Sequence, residues 1–164
     1  ELLSKGKKIN SNQMPLPSDN YGISKMIFTY LSKSYSNTVN ANCTVLRLFQ
    51  VFGEGENKKR LWPTIKNAAK KNETVTINNP YEKRDFINVE DVSKNILKLC
   101  EHKIQNKNGF KIWHIASNKP MTILDFARET YYSYNKNIKI KTKKSLVKHY
   151  HHISDKKSIW GLAK

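Results

Sequence analysis

Glycine is scarce, with six in 164 residues, and none falls in a Gly-x-Gly-x-x-Gly, Gly-x-x-Gly-x-x-Gly or P-loop pattern. A Gly-rich turn that cradles phosphates at a helix start is therefore not among the devices of this stretch. Cysteine is scarcer still: only Cys43 and Cys100, each inside an apolar block. They read as two buried thiols in a reducing compartment, and a disulfide framework is not expected. No run reaches the roughly 18 apolar residues of a membrane span. Residues 1–20 hold no apolar signal core, so a cytoplasmic location is expected. The sequons at Asn42-Cys43-Thr44 and Asn72-Glu73-Thr74 are then chance matches.

Acids are few: 13 against 30 basic residues, for a net charge of +17. That balance raises a nucleic-acid reading. Arginine, which base-edge readout favours, occurs only at positions 47, 60, 84 and 128. The aromatic and basic interleaving of a single-strand binder is also lacking. Most of the lysine excess reads as a solvated surface in a chain rich in Asn, Lys and Ile. Nucleic acid is kept only as a rival partner.

What is present is periodic. Hydrophobic content is only 38%, but the apolar residues come in blocks, so the chain reads as folded. Pro15 and Pro17 lead from a polar loop to Ser18, Asp19 and Asn20, each a competent N-cap. A helix is predicted from about Tyr21 to Tyr35, with Ile27, Phe28, Leu31 and Tyr35 on one stripe. Thr44–Phe52 is nearly all apolar, as a parallel strand covered on both faces would be. It ends at Gly53 and Gly55, the kind of loop where open α/β sheets place ligands. Arg47 inside it reads as a cation snorkelling at a strand edge or, alternatively, as a buried cation paired with a carboxylate.

Further on, residues 60–72 read as a helix with Pro63 in its first turn. Short extended pieces at 74–77 and 84–89 flank the turn Asn78-Asn79-Pro80. Asn88 and Asp91 start another helix, with Val92, Ile96, Leu99 and Cys100 inward. A strand at 110–116 precedes Thr122-Ile123-Leu124-Asp125, a capping signature. Ile138–Thr142 alternates with lysine as an edge strand would. Lys136–Lys148 reads as a solvated lysine-rich edge, and Asp155–Trp160 as a closing helical piece. His149, His151 and His152 lack companion ligands, so no metal site is expected.

One spacing carries chemistry. Tyr21-Gly22-Ile23-Ser24-Lys25 opens the first helix, where positions four apart share a face. A phenol is a weak proton-transfer group near pH 7, and a nearby ammonium favours its phenolate. A Tyr-x-x-x-Lys pair can therefore move a proton at a carbinol or carbonyl. Alone, the pair is weak evidence, since Tyr and Lys four apart are common by chance, and the plainer reading is a surface lysine beside a half-buried tyrosine.

Its company is more specific. The pieces are Pro17-Ser18-Asp19-Asn20-Tyr21-Gly22-Ile23-Ser24-Lys25, Leu46-Arg47-Leu48-Phe49-Gln50-Val51-Phe52-Gly53, Arg60-Leu61-Trp62-Pro63 and Lys83-Arg84-Asp85-Phe86-Ile87-Asn88-Val89-Glu90-Asp91-Val92. In this order and spacing the chain resembles the C-terminal half of the extended short-chain dehydrogenase/reductases, the NAD-dependent nucleotide-sugar epimerases and dehydratases.

The resemblance implies the C-terminal part of a Rossmann-like doubly wound α/β sheet plus a small mixed α/β substrate-binding subdomain. Residues 1–58 would belong to the dinucleotide-binding domain and 59–164 mainly to the subdomain, with about 85–117 returning to the Rossmann sheet. Tyr21 would be the catalytic acid/base. Lys25 would assist it and hydrogen-bond the nicotinamide ribose of NAD or NADP. Leu48 and Phe49 would lie beneath the nicotinamide. Gln50 stands where the family usually has Asn and would touch the sugar or diphosphate. Arg84 would bind the diphosphate, or else pair with Asp85 or Glu82, and Arg60 would line the nucleotide pocket. Asp91 reads as a helix-start residue.

The implied partners are a nucleotide-diphosphate sugar, the N-terminal dinucleotide-binding half of the fold, and a second copy through the catalytic helix. Surface-polysaccharide sugar biosynthesis would be the setting. A serine or threonine upstream of Tyr21 would complete the site, and the chain alone is expected to be inactive. A non-catalytic binder of the same fold is the rival reading.

Overall fold

The computed structural model describes residues 8–9, 15–101, 109–143 and 153–154. Helix α1 spans Asn20–Thr38, and Asp19 caps it: the carboxylate accepts the Gly22 amide at 2.6 Å. The helix runs three residues past the predicted end. Thr38 bonds back to the Ser34 carbonyl, and Ser36 reaches forward to that of Ala41, before Asn40 turns the chain at a φ of 50°. Strands β1 (Cys43–Leu48) and β2 (Gln50–Phe52) follow, then α2 (Leu61–Lys70), β3 (Val75–Asn78), β4 (Lys83–Arg84) and β5 (Phe86–Asn88). Helix α3 (Val89–Glu101), β6 (Phe110–Ile115), β7 (Met121–Thr122), α4 (Ile123–Tyr134) and β8 (Ile140–Lys143) complete the described elements.

The apolar run at 44–52 is two strands, not one. β1 pairs in parallel with β6, and β2 in parallel with β5. The change of partner happens at a single residue. The Phe49 amide goes to the Ile115 carbonyl, and the next amide, Gln50, goes to that of Asp85. Both halves are partly covered, which is why their side chains carry no mark of the break. β3 pairs in parallel with β8, and the short β4 antiparallel with β7.

Two apolar clusters form. One joins α2 (Ile65, Ala69) and β3 (Ile77) to α4 (Phe126, Tyr131) and Phe86 of β5. The other is built on Ile87, Val92 and Ile115, with Leu46 and Val51 against them. Successive side chains of a strand point to opposite faces, so Phe86 and Ile87 reach different clusters from adjacent positions. Phe86 stacks on Phe126 with centroids 3.8 Å apart. β5 is thus packed on both sides directly after Arg84 and Asp85.

Local signals explain the helix starts. Thr122 accepts the Asp125 amide at 3.0 Å and donates to its carboxylate at 2.6 Å. Asn88 accepts the Glu90 amide at 2.8 Å. Pro63 falls in the first turn of α2, where its missing N–H costs nothing.

The inward face of α3 differs from the predicted stripe. Val92, Asn95 and Leu99 turn inward, while Ile96 and Cys100 are exposed. Asn95 is tolerated there because its amide bonds to the Asp91 carbonyl at 2.7 Å. Cys100 is therefore an exposed free thiol, and Cys43 a half-buried one. The stripe of α1 is helical as predicted but uncovered: Ile27, Phe28, Leu31 and Tyr35 are all exposed among the described residues. The predicted helical piece Asp155–Trp160, the three neighbouring histidines, Lys144 and Lys148 lie outside the described residues.

Candidate active site

Helix α1 lies against β1 and β6. Only four residues separate α1 from β1, so the two run in opposite directions. The first turn of α1 and the C-terminal end of β1 therefore share one end of the layer, where open α/β sheets bind ligands.

At that end the Lys25 ammonium sits 5.2 Å from the centroid of the Tyr21 ring. Tyr21 is 68% exposed, so its hydroxyl is open to a reactant. On the next element, Leu48 is 50% exposed although it ends a strand. Phe49 turns the other way and packs edge-on against buried His114, centroids 5.2 Å apart. His114 Nδ1 lies 3.2 Å from Ser154 Oγ. Arg47, which faces His114 across the β1–β6 register, is half-buried. Burial pushes its pKa down, and neighbouring Tyr30 opposes that.

Gln50 and Arg84, distant in sequence, meet in the structure. Arg84 Nη1 donates to Gln50 Oε1 at 3.1 Å. The same guanidinium takes Glu82 as its ion-pair partner, with Nε and Nη2 each 3.0 Å from Oε1. Asp85, the other carboxylate offered by the sequence, is not its partner. Asp85 is wholly buried and accepts the Ser117 amide at 2.6 Å, the Ser117 hydroxyl at 2.7 Å and the Asn118 amide at 3.0 Å. Burial pushes its pKa above the usual carboxylate range, and those hydrogen bonds pull the other way. Sequence reading missed this anchor, because its partners are 32 and 33 positions away.

Arg60 is placed differently. It stands at the N-cap of α2 without a capping side-chain bond, and its Nε contacts Glu56 at 3.2 Å. It lines an open groove of about 710 Å³ together with Phe52, Gly53, Glu56 and Val89. Gly53 is needed in that wall. Its φ is +144°, and a Cβ there would lie 2.6 Å from Val89 Cγ1. Among the described residues no group of His, Cys, Asp or Glu could hold a metal ion, and no helix is long and apolar enough to cross a membrane.

A helix laid on a parallel strand pair is an α/β arrangement of the Rossmann-like kind. Its particular family follows from comparison: residues 3–116 match the NAD dependent epimerase/dehydratase family, and the chain belongs to it. The chain is 30% identical over 117 residues to GDP-6-deoxy-D-talose 4-dehydrogenase of Aggregatibacter actinomycetemcomitans, covering 66% of this chain and 39% of that protein. It is 34% identical over 95 residues to CDP-abequose synthase of Salmonella muenchen, covering 57% of this chain and 30% of that one. In fold it is similar to the UDP-glucose 4-epimerase of Thermus thermophilus in complex with NAD, with a TM-score of 0.79 and 14% identity over 98% of this chain and 53% of that one. The chain thus spans less than half the length of the two sequence relatives.

Proposed function

We propose that the protein bearing this chain is an NAD(P)-dependent enzyme that oxidises, reduces or epimerises a nucleotide-diphosphate sugar, and that Tyr21 is its acid/base. The observation that carries this is the Tyr21–Lys25 pair: intact, exposed, and held by a capped helix at the ligand end of β1. Membership of the family supports the cofactor and the substrate class. The sequence relatives act on GDP- and CDP-linked sugars by name, which supports a role in making surface-polysaccharide sugars.

The residues present suit a nicotinamide dinucleotide. Lys25 offers an ammonium to a ribose hydroxyl, and exposed Leu48 offers an apolar surface to the nicotinamide, whereas Phe49 is turned away against His114. NAD or NADP, when bound, supplies or accepts the hydride. Tyr21 gives or takes the proton at the sugar oxygen. Lys25 holds positive charge over the Tyr21 ring, 5.2 Å from its centroid. Arg84 offers a guanidinium fork to the diphosphate, a match in geometry as well as charge. Arg60, at the groove mouth, attracts the nucleotide portion. Residues 1–164 contain no Gly-rich turn, so the dinucleotide phosphates are assigned to the other half of the fold. A second copy is assigned to the bare face of α1.

Tyr21→Phe in the full-length protein tests the reading. Assayed by nicotinamide absorbance against UDP-, GDP-, CDP- and dTDP-sugars, it should lose about a hundredfold or more in kcat. Nucleotide-sugar affinity should be kept. An unchanged kcat would refute Tyr21 as acid/base, and a wild type inactive on every sugar would favour the non-catalytic binder.

A further inference from the structure

The guanidinium of Arg84 is already fixed from two sides. Its fork has five N–H donors. Two contact Glu82 Oε1 at 3.0 Å, and one contacts Gln50 Oε1 at 3.1 Å. Glu82 is no casual surface partner. Its side chain is 7% exposed against 31% for Arg84. Its backbone is pinned as well: the amide to the Asn79 carbonyl at 3.1 Å, the carbonyl to the Ile123 amide at 2.9 Å. Gln50 is pinned by its own amide to the Asp85 carbonyl at 3.1 Å. An Asn at position 50 would be shorter by one carbon–carbon bond, about 1.5 Å, and would fall short of Arg84. The extra methylene is what closes the contact.

The two partners differ in charge. Gln50 is a neutral acceptor, whereas Glu82 offsets the guanidinium charge at close range. A cation paired in this way offers its remaining N–H groups with direction but with little surplus charge.

We propose that Gln50 and Glu82 are positioning residues for Arg84: Gln50 orients the fork rather than touching the sugar, and Glu82 locks it while moderating its hold on a diphosphate. This rests on the reading of Arg84 as the diphosphate-binding residue. Moderation has a use in a turnover cycle, because the product carries the same diphosphate as the substrate and must leave.

Binding of inorganic pyrophosphate to the full-length protein, measured by calorimetry at low salt, tests this through a charge series. Arg84→Met should abolish the Arg84-dependent part of binding. Glu82→Gln keeps an acceptor and removes the charge, and should tighten binding about three- to tenfold. Gln50→Glu adds a second acid and should weaken it by a similar factor. Gln50→Leu, which frees the fork without adding charge, should weaken it less. A purely structural Glu82 cannot give tighter binding, so unchanged or weaker binding in a folded Glu82→Gln overturns the proposal while leaving Arg84 in place. If Glu82→Gln does not fold, Gln50→Glu decides: weaker binding supports the proposal, and unchanged or tighter binding overturns it. Binding that Arg84→Met leaves unaltered removes the underlying reading of Arg84 instead.

Discussion

The carboxylate of Asp85 accepts both the amide and the hydroxyl of Ser117, at 2.6 and 2.7 Å, across 32 positions of sequence. This contact ties the turn after β6 to the strand piece that carries Arg84. Asp85→Ala would remove the shared acceptor of two part-buried amides and a hydroxyl, at a cost of about 1–3 kcal/mol. Urea denaturation of the full-length protein should show that loss as a lower midpoint with little change in slope.

The same carboxylate sets a pH dependence. Its folded pKa is raised above the unfolded value of 3.8 by burial. The folded state therefore binds more protons than the unfolded state between those two values, and stability from this group falls as pH rises through that window. Asp85→Asn removes the titration. The stability of the wild type relative to Asp85→Asn should thus be greatest at the acid end and decline as pH rises. A relative stability that grew with pH would show that the hydrogen bonds from Ser117 and Asn118 outweigh burial.

Lys25→Met should separate charge from shape at the proposed catalytic pair. Its ammonium lies over the Tyr21 ring, and methionine keeps much of the stem without the charge. We expect kcat to fall about tenfold to a hundredfold and the KM for the dinucleotide to rise, because one group is assigned both tasks. Loss in kcat alone would remove the ribose contact from the assignment.

Much of this was legible in the sequence because the signals are local. Asp19, Thr122 and Asn88 each cap within three residues, and Tyr21 and Lys25 sit one turn apart. The handover of β1 to β2 at Phe49 was not legible, since it depends on carbonyls of Ile115 and Asp85 far along the chain. Asp85 was read only as a possible ion-pair partner of Arg84, because burial and the Ser117 turn leave no mark around residue 85 itself. The choice of Glu82 as the arginine's partner follows from the pinning of its backbone, also a long-range fact. The stripe of α1 was visible as apolar, but periodicity does not report what covers it.

Gly53→Ala should be costly in spite of the small change. A φ of +144° disfavours any side chain, and the new methyl would approach Val89 Cγ1 to 2.6 Å. Strain and overlap together suggest about 1–3 kcal/mol. Adding Val89→Ala should recover the part due to overlap and leave the part due to strain. Full recovery in the double variant would show that the backbone conformation there is relaxed.

The bare face of α1 makes the last prediction. Leu31 is 64% exposed, with Ile27 and Tyr35 one turn to either side and Phe28 adjacent, and no described element covers them. A stripe that meets its own copy in a two-fold contact counts each residue twice. Burying one leucine side chain stabilises by about 1.5–3 kcal/mol, so Leu31→Lys should weaken a dimer by at least about 3 kcal/mol, or a hundredfold in Kd. The fold of the protomer should hardly change, because the side chain is mostly exposed in the single copy. Sedimentation velocity over a concentration series should show the wild type as a dimer and Leu31→Lys shifted to monomer at the same concentration, with equal urea midpoints at high dilution. A monomeric wild type, or a dimer indifferent to Leu31→Lys, would assign that face to another part of the fold.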